Sequence, residues 1–328
     1  MTATHRIRLY AVVLTALVVL LAIGAILDPR RGRSPRPLFP GLEETSVQQV
    51  EISSVAGTMI RRVQSWVIDE GGREYPARSD RIESLLSEIV ASRVVRRVTG
   101  NESLWPDFGV TEEAGTRLML KSGTSGGTEQ VRTVVWGGYA AEPGLSYLRL
   151  GQSSDVYASD GELHFYLQQP LSYWSYLRVL PEDMGFSDVV ALSSSVELQL
   201  SDGERLSSSY VLEREGAGDL WVSRNPAGAA GPLDGETVKR LLREVVDLVG
   251  TDFSRDEGFS ALPVVGTIEI ALSDGRDYSV EILESADGFV CRAAGPALPG
   301  DPFGGLAYEL TDAKVRRLFP VLSELTLE

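Results

Sequence analysis

The feature that most constrains this chain is an uninterrupted apolar run from Leu9 to Leu27, reading LYAVVLTALVVLLAIGAIL with no charged residue in it. At a helical rise of 1.5 Å per residue, its roughly 19 residues reach about 28 Å, close to the hydrocarbon thickness of a bilayer. Residues 9–27 are therefore expected to form a transmembrane anchor, with a short N-terminus, residues 1–8, ahead of it. A cleaved signal peptide competes, because His5, Arg6 and Arg8 precede the run. Against it, the apolar core exceeds the roughly 7–15 residues of a signal segment. Gly24-Ala25-Ile26-Leu27-Asp28 also keeps bulky residues where cleavage requires small ones. The only cysteine is Cys291, so no lipid-attachment cysteine follows the run.

Residues 28–40, DPRRGRSPRPLFP, hold Pro29, Pro35, Pro37 and Pro40 among arginines, which favours a stiff extended linker. Folded structure is expected from about Gly41. Residues 1–40 contain six arginines and one aspartate, net +5, so the chain's −15 leaves −20 for residues 41–328. An acidic folded part excludes nucleic acid as a partner, since phosphates require a basic footprint. With 43% hydrophobic residues, residues 41–328 can build two cores.

Alternation predicts strands at Val47–Val55, Ser65–Asp69, Arg117–Lys121, Val131–Trp136, Ser146–Leu150 and Asp155–Ala158. Between the second and third, Ile82, Leu85, Leu86, Ile89 and Val90 fall on one face of a helix, with Asp80 and Glu83 as a capping pair at its start. A short helix is expected from Asp160 to Leu167. The order then recurs, with an alternating strand at Val189–Leu200 and Leu220-Trp221-Val222 in the place of Ser65-Trp66-Val67. Val238, Leu241, Leu242, Val245 and Val246 each lie 156 positions after their counterparts in the first helix. Strands at Gly266–Leu272, Tyr278–Leu283 and Gly288–Ala293 and a helix at Ala313–Leu322 complete the second copy. The expected architecture is α+β: a transmembrane helix followed by two repeats, 41–182 and 183–328, each a mostly antiparallel sheet with packed amphipathic helices.

No motif assigns a catalytic, cofactor-binding or metal-binding residue. The two histidines, His5 and His164, are far apart in sequence, and no G-x-S-x-G elbow accompanies His164. Pairs such as Asp155 with Asp160, or Asp252 with Asp256 and Glu257, are ordinary among 46 acidic residues. Gly123 to Gly127 reads as a hairpin turn, with no Gly-Lys-Ser/Thr to make it a phosphate loop. Cys291 lies in a strand-like stretch and reads as a small buried hydrophobe. One cluster stands out: Phe165, Tyr166, Tyr173, Trp174, Tyr176 and Arg178. Aromatic residues and arginine are enriched where proteins bind one another, so this is the candidate interaction patch. The same residues also serve as ordinary core.

Several short motifs occur in a characteristic order: Leu38-Phe39-Pro40-Gly41, a strand ending in Trp66, Tyr75-Pro76-Ala77 and Phe108-Gly109-Val110. They are followed by Trp136-Gly137-Gly138, Tyr147-Leu148-Arg149, Val156-Tyr157 and the Trp174–Arg178 segment. Over residues 38–182 this order resembles the bacterial family catalogued as domain of unknown function 4340, and the second repeat resembles it more weakly. The resemblance implies a single-span envelope protein, often encoded near ABC-type exporters and gliding-motility auxiliary proteins. Counting basic residues, Arg30, Arg31, Arg33 and Arg36 after the run outnumber Arg6 and Arg8 before it, which would keep the C-terminal side in the cytoplasm. The resemblance implies the opposite: a cytoplasmic N-terminus, an anchor in the cytoplasmic membrane and an extracytoplasmic C-terminal part. The function expected is that of a non-enzymatic accessory or scaffold protein without cofactors. Its expected partners are the membrane and envelope proteins such as ABC-type permease and ATPase subunits. The alternative is an envelope glycan- or ligand-binding module built on the aromatic cluster.

Overall fold

The computed structural model describes residues 35–53, 58–62, 65–123, 129–216, 220–224, 233–254, 258–299 and 305–326. In chain order, the first half forms β1 (Arg36–Pro37), β2 (Val47–Ser53), β3 (Thr58–Arg62), β4 (Trp66–Glu70), β5 (Arg73–Pro76) and α1 (Ser79–Ala91). It continues with β6 (Arg93–Thr99), α2 (Trp105–Phe108), β7 (Thr116–Gly123), β8 (Glu129–Tyr139), β9 (Leu145–Leu150), β10 (Val156–Asp160), α3 (Leu163–Leu167) and α4 (Leu171–Trp174). The second half forms β11 (Val189–Gln199), β12 (Arg205–Glu215), β13 (Leu220–Ser223) and α5 (Gly235–Val246). After these come β14 (Val264–Leu272), β15 (Asp277–Ser285), β16 (Gly288–Ala294), β17 (Ala307–Leu310) and α6 (Asp312–Leu318). The chain divides into two compact units, residues up to Met59 with Glu83–Gln168, and Ile60–Ile82 with Gln169–Glu328.

This corrects the expected α+β class with its N-terminal transmembrane helix. Among the described residues antiparallel strand dominates, in two sheets, and no helix is long and apolar enough to cross a membrane. The run 9–27, assigned as a single-pass anchor from its hydropathy, lies outside the described residues, as do residues 1–8. Part of the shift comes from strands that lack clean alternation. Arg93–Thr99 (RVVRRVT) carries arginines on both faces, and Arg205–Glu215 (RLSSSYVLERE) is serine-rich, yet both form full strands because neighbouring strands take up their backbone groups. Folded structure is already present at Arg36, ahead of the start expected at Gly41. Arg36 and Pro37 pair with β6, and Leu38 and Phe39 are buried.

In the first unit the strands neighbour one another in the order β1, β6, β10, β9, β8, β7, β2. β7 to β10 form a meander, each strand antiparallel to the next. The unit's most constrained point is where the loop of α2 meets β8 and β9. Trp105-Pro106-Asp107-Phe108 makes one helical turn that ends on Gly109 in the left-handed region, φ +66°. This brings the Phe108 carbonyl so close to β8 that a Cβ at Gly137 would stand 2.1 Å from it. Arg149 of β9 is 2% exposed and reaches into the same loop. Its Nε donates to the Val110 carbonyl at 3.2 Å and a terminal nitrogen to Glu112 at 2.6 Å, while its guanidinium lies 4.3 Å from the Trp105 ring centre. Phe108 packs edge-on against Tyr147 at 4.7 Å. The short motifs FGV, WGG and YLR thus meet at one node.

In the second unit the order is β13, β12, β11, β14, β15, β16, β17, antiparallel throughout. β14 to β17 repeat the β7 to β10 meander, and β11 lies beside β14 as β2 lies beside β7. α5 begins on Asp234, whose carboxylate accepts from the Glu236 amide, and buries Val238, Leu241, Leu242, Val245 and Val246. Of the matching positions in α1, Ile82, Leu85, Leu86 and Ile89 are buried and Val90 is half-buried. The unit also takes in the β4–β5 hairpin through a row of aromatic rings. Tyr75 lies 4.6 Å from Phe253, and Phe253 lies 5.3 Å from Tyr308 of β17. All three are buried.

These contacts set two expectations for stability. Gly137→Ala should lower it by about 2 kcal/mol or more, because backbone rather than a flexible side chain must move. Gly138→Ala, whose added methyl would find nothing within 4 Å, should stay close to the parent. Urea unfolding of the pair checks this, and equal midpoints would refute it. Tyr75→Ala should cost about 3 kcal/mol, the usual loss on truncating a buried aromatic, and the same titration reads it.

Candidate functional site

The second unit contains a cleft of about 720 Å³ beside residues 175–179. The segment is extended because it is held along both edges. On one side Ala77 and Ser175 form an antiparallel bridge, the Arg78 amide donates to the Trp174 carbonyl at 2.7 Å, and the Tyr176 amide donates to the Pro76 carbonyl at 2.8 Å. On the other side Arg178 bridges Val249, the Val179 amide donates to Leu248 at 2.9 Å, and the Gly250 amide donates to Leu177 at 2.9 Å. With its main chain fixed on both edges, the segment contributes Ser175, Tyr176, Leu177 and Arg178 to the lining of the cleft.

The charged groups here are tied to one another. Arg78 forks onto Asp80 with distances of 3.2 and 2.7 Å, and its guanidinium holds the Asp80 carboxyl below the usual carboxylate range. Asp80 therefore belongs to this pair as well as to the first turn of α1. Arg178 donates to the carbonyls of Leu180 and Val246, both at 3.2 Å, and pairs with Asp247 at 3.1 Å. The Tyr176 hydroxyl donates to Glu182 at 2.5 Å. Burial first, then the bond to Glu182 and its charge, push the Tyr176 phenol well above the ordinary tyrosine range. Ser175, 1% exposed, also lines the cleft, and its hydroxyl has no hydrogen-bond partner among the described residues. A second hollow, about 540 Å³ on the open face of the second sheet, is bordered largely by small side chains such as Ala191, Ser193 and Ala271, and offers fewer directional groups.

Of the candidate patch, Tyr176 and Arg178 line this cleft. Tyr173 and Trp174 lie in the same unit, their rings edge-on at 4.9 Å. Trp174 is buried at 1% exposure, and Arg81 stacks 4.5 Å from the Tyr173 ring centre while donating to its hydroxyl at 3.0 Å. Phe165 and Tyr166 belong to the first unit, on α3, with rings edge-on at 5.3 Å. There Phe165 is 49% exposed and Tyr139 is 69% exposed, the latter 4.2 Å from the His164 ring. Partial burial lowers the His164 pKa, and its Nε2 faces the Gln168 amide nitrogen at 2.7 Å. Asp155 is engaged by Arg97 at 2.6 Å, and Asp160 accepts from the Arg93 amide at 2.9 Å. Asp256 and Glu257 lie outside the described residues. Among the described residues no group of histidine, cysteine and carboxylate side chains could hold a metal ion. Cys291 is fully buried, its thiol pushed up to about 12 by that burial. Sequence reading missed Arg78, which joins the site through a pairing distant in sequence, and also Ser175 and Glu182, which lie within six residues of Tyr176.

A family model described as a domain of unknown function, DUF4340, matches residues 66–261. The chain belongs to that family. The match starts at Trp66 and runs past residue 182 into the second repeat, so the DUF4340 region includes both the Arg149 node and every residue named in the cleft. No curated protein and no solved structure matches the chain.

The phenol of Tyr176 yields a pH prediction for this DUF4340 protein. Its folded pKa lies above the unfolded value of about 10, so its contribution is complete below about pH 10 and is lost as pH rises beyond. Burial raises Tyr308 in the same direction and Tyr210 to about 12. Melting temperature should therefore fall steadily above about pH 10. Glu182→Gln should bring one phenol down toward the ordinary range, seen as earlier phenolate absorbance. An unchanged titration in that variant would contradict the assignment.

Proposed function

We propose that this protein is a non-enzymatic accessory protein of the cell envelope, on the extracytoplasmic side. It binds other envelope proteins, and its partners are permease and ATPase components of an ABC-type export or gliding-type transport system. The observation that carries the reading is the display of aromatic side chains on the first unit, where Tyr139 and Phe165 stand 69% and 49% exposed beside His164 and Tyr166. Exposed aromatic groups gain free energy when a partner removes them from water, and aromatic residues are enriched among those that dominate binding. The charge of −20 over residues 41–328 favours partners with basic surfaces. The choice of transport components follows the family resemblance.

The test is in-cell crosslinking of a tagged chain, gentle extraction and mass spectrometry of the proteins recovered. Permease and ATPase subunits should appear in a fixed ratio. The double substitution Tyr139→Ser with Phe165→Ser should cut their recovery roughly tenfold or more, the scale of losing a binding hot spot. Recovery of the protein alone, or recovery indifferent to the double substitution, would overturn the reading.

A further inference from the structure

We propose that the cleft beside residues 175–179 is a binding site for a neutral saccharide. The inference concerns a different unit from the aromatic display and does not rest on the docking role. Its volume, about 720 Å³, falls within the range of small-molecule sites. The charge of its lining is compensated. Arg78 is matched by Asp80, Arg178 by Asp247, and Glu182 is committed to the Tyr176 hydroxyl. A ligand with net charge would lose its hydration without meeting an unmatched opposite charge, so the cleft favours a neutral one.

A purely apolar ligand fits no better, because guanidinium, carboxylate and hydroxyl groups would lose water and gain nothing. The lining combines two kinds of surface. Pro76, Ala77, Leu177 and Val249 offer apolar area, while Arg78 and Arg178 donate, Glu182 accepts and serine hydroxyls do both. A sugar ring has this same division, with C–H faces and an edge of hydroxyls that each donate and accept. Ser175 adds a specific anchor. Its buried hydroxyl has no hydrogen-bond partner among the described residues and stands in the wall of the cleft, where a ligand hydroxyl that reached it would supply the missing bond. The site is thus distinct from a stacking platform on Trp174, which is buried.

The experiment titrates the purified full-length protein with cellobiose and chitobiose as neutral probes, and with glucuronate and glucosamine as charged ones, by calorimetry and ligand-observed NMR. At least one neutral disaccharide should bind, and more tightly than either charged sugar. Ser175→Ala should weaken that binding roughly two- to tenfold, the value of one hydrogen bond. Its melting temperature should hold or rise, because an unpaired buried hydroxyl has been removed. Glu182→Gln provides a second variant, expected to weaken binding as well. Absence of binding by both neutral probes, preference for a charged sugar, or affinity unaffected by either substitution would each overturn the proposal. Crosslinking to envelope proteins reads the other unit, so the two readings fail separately.

Discussion

The first unit depends on one buried cation. Arg149 at 2% exposure is sustained by the Gly151 carbonyl just beyond its own strand and by the loop around α2, which supplies the Val110 carbonyl, the Glu112 carboxylate and the Trp105 ring face. A guanidinium taken out of water without these partners would cost several kcal/mol, so the loop and β9 must form together. The glycines serve the same demand. Gly109 supplies a left-handed turn, and Gly137 supplies an absent side chain where the Phe108 carbonyl passes. The three motifs Phe108-Gly109-Val110, Trp136-Gly137-Gly138 and Tyr147-Leu148-Arg149 are therefore parts of a single packing arrangement.

The second unit solves a different problem by borrowing. Its own strands make a sheet from β13 to β17, yet Phe253, which packs on Tyr308, is met by Tyr75 from a hairpin far earlier in the chain. The same early segment, through Pro76, Ala77 and Arg78, flanks residues 175–179 and forms one wall of the cleft. Stability and site are thus coupled within the unit, since the pairing that buries Tyr75 also positions Arg78. Holding the main chain on both edges leaves the cleft little freedom to rearrange, which favours recognition by shape and hydrogen bonding.

The two proposed roles use different surfaces. Exposed aromatic rings suit a macromolecular partner that excludes water over a broad area. A charge-compensated cleft with an unpaired hydroxyl suits a small polar ligand. Membership of DUF4340 supplies no residue roles, so both readings stand on geometry and on the chemistry of named side chains.

The sequence by itself determined what is local. Alternation located β2, β7 and β14, and the 156-residue offset located the apolar faces of α1 and α5, because strand and helix periods are written in neighbouring residues. It did not reveal β6 or β12, whose arginines and serines hide the period and whose backbone groups are satisfied only by strands on either side. The aromatic patch drawn from sequence proximity, Phe165 to Arg178, falls in two units with very different exposures. Only the tertiary structure decided that Trp174 is core, that Tyr176 and Arg178 face a cleft, and that Arg78, Ser175 and Glu182 join them. The placing of the 175–179 segment against Arg78 depends on hydrogen bonds between segments tens of residues apart, such as Arg78 with Trp174 and Leu177 with Gly250. No local pattern of residues encodes which distant backbone will be there to accept them.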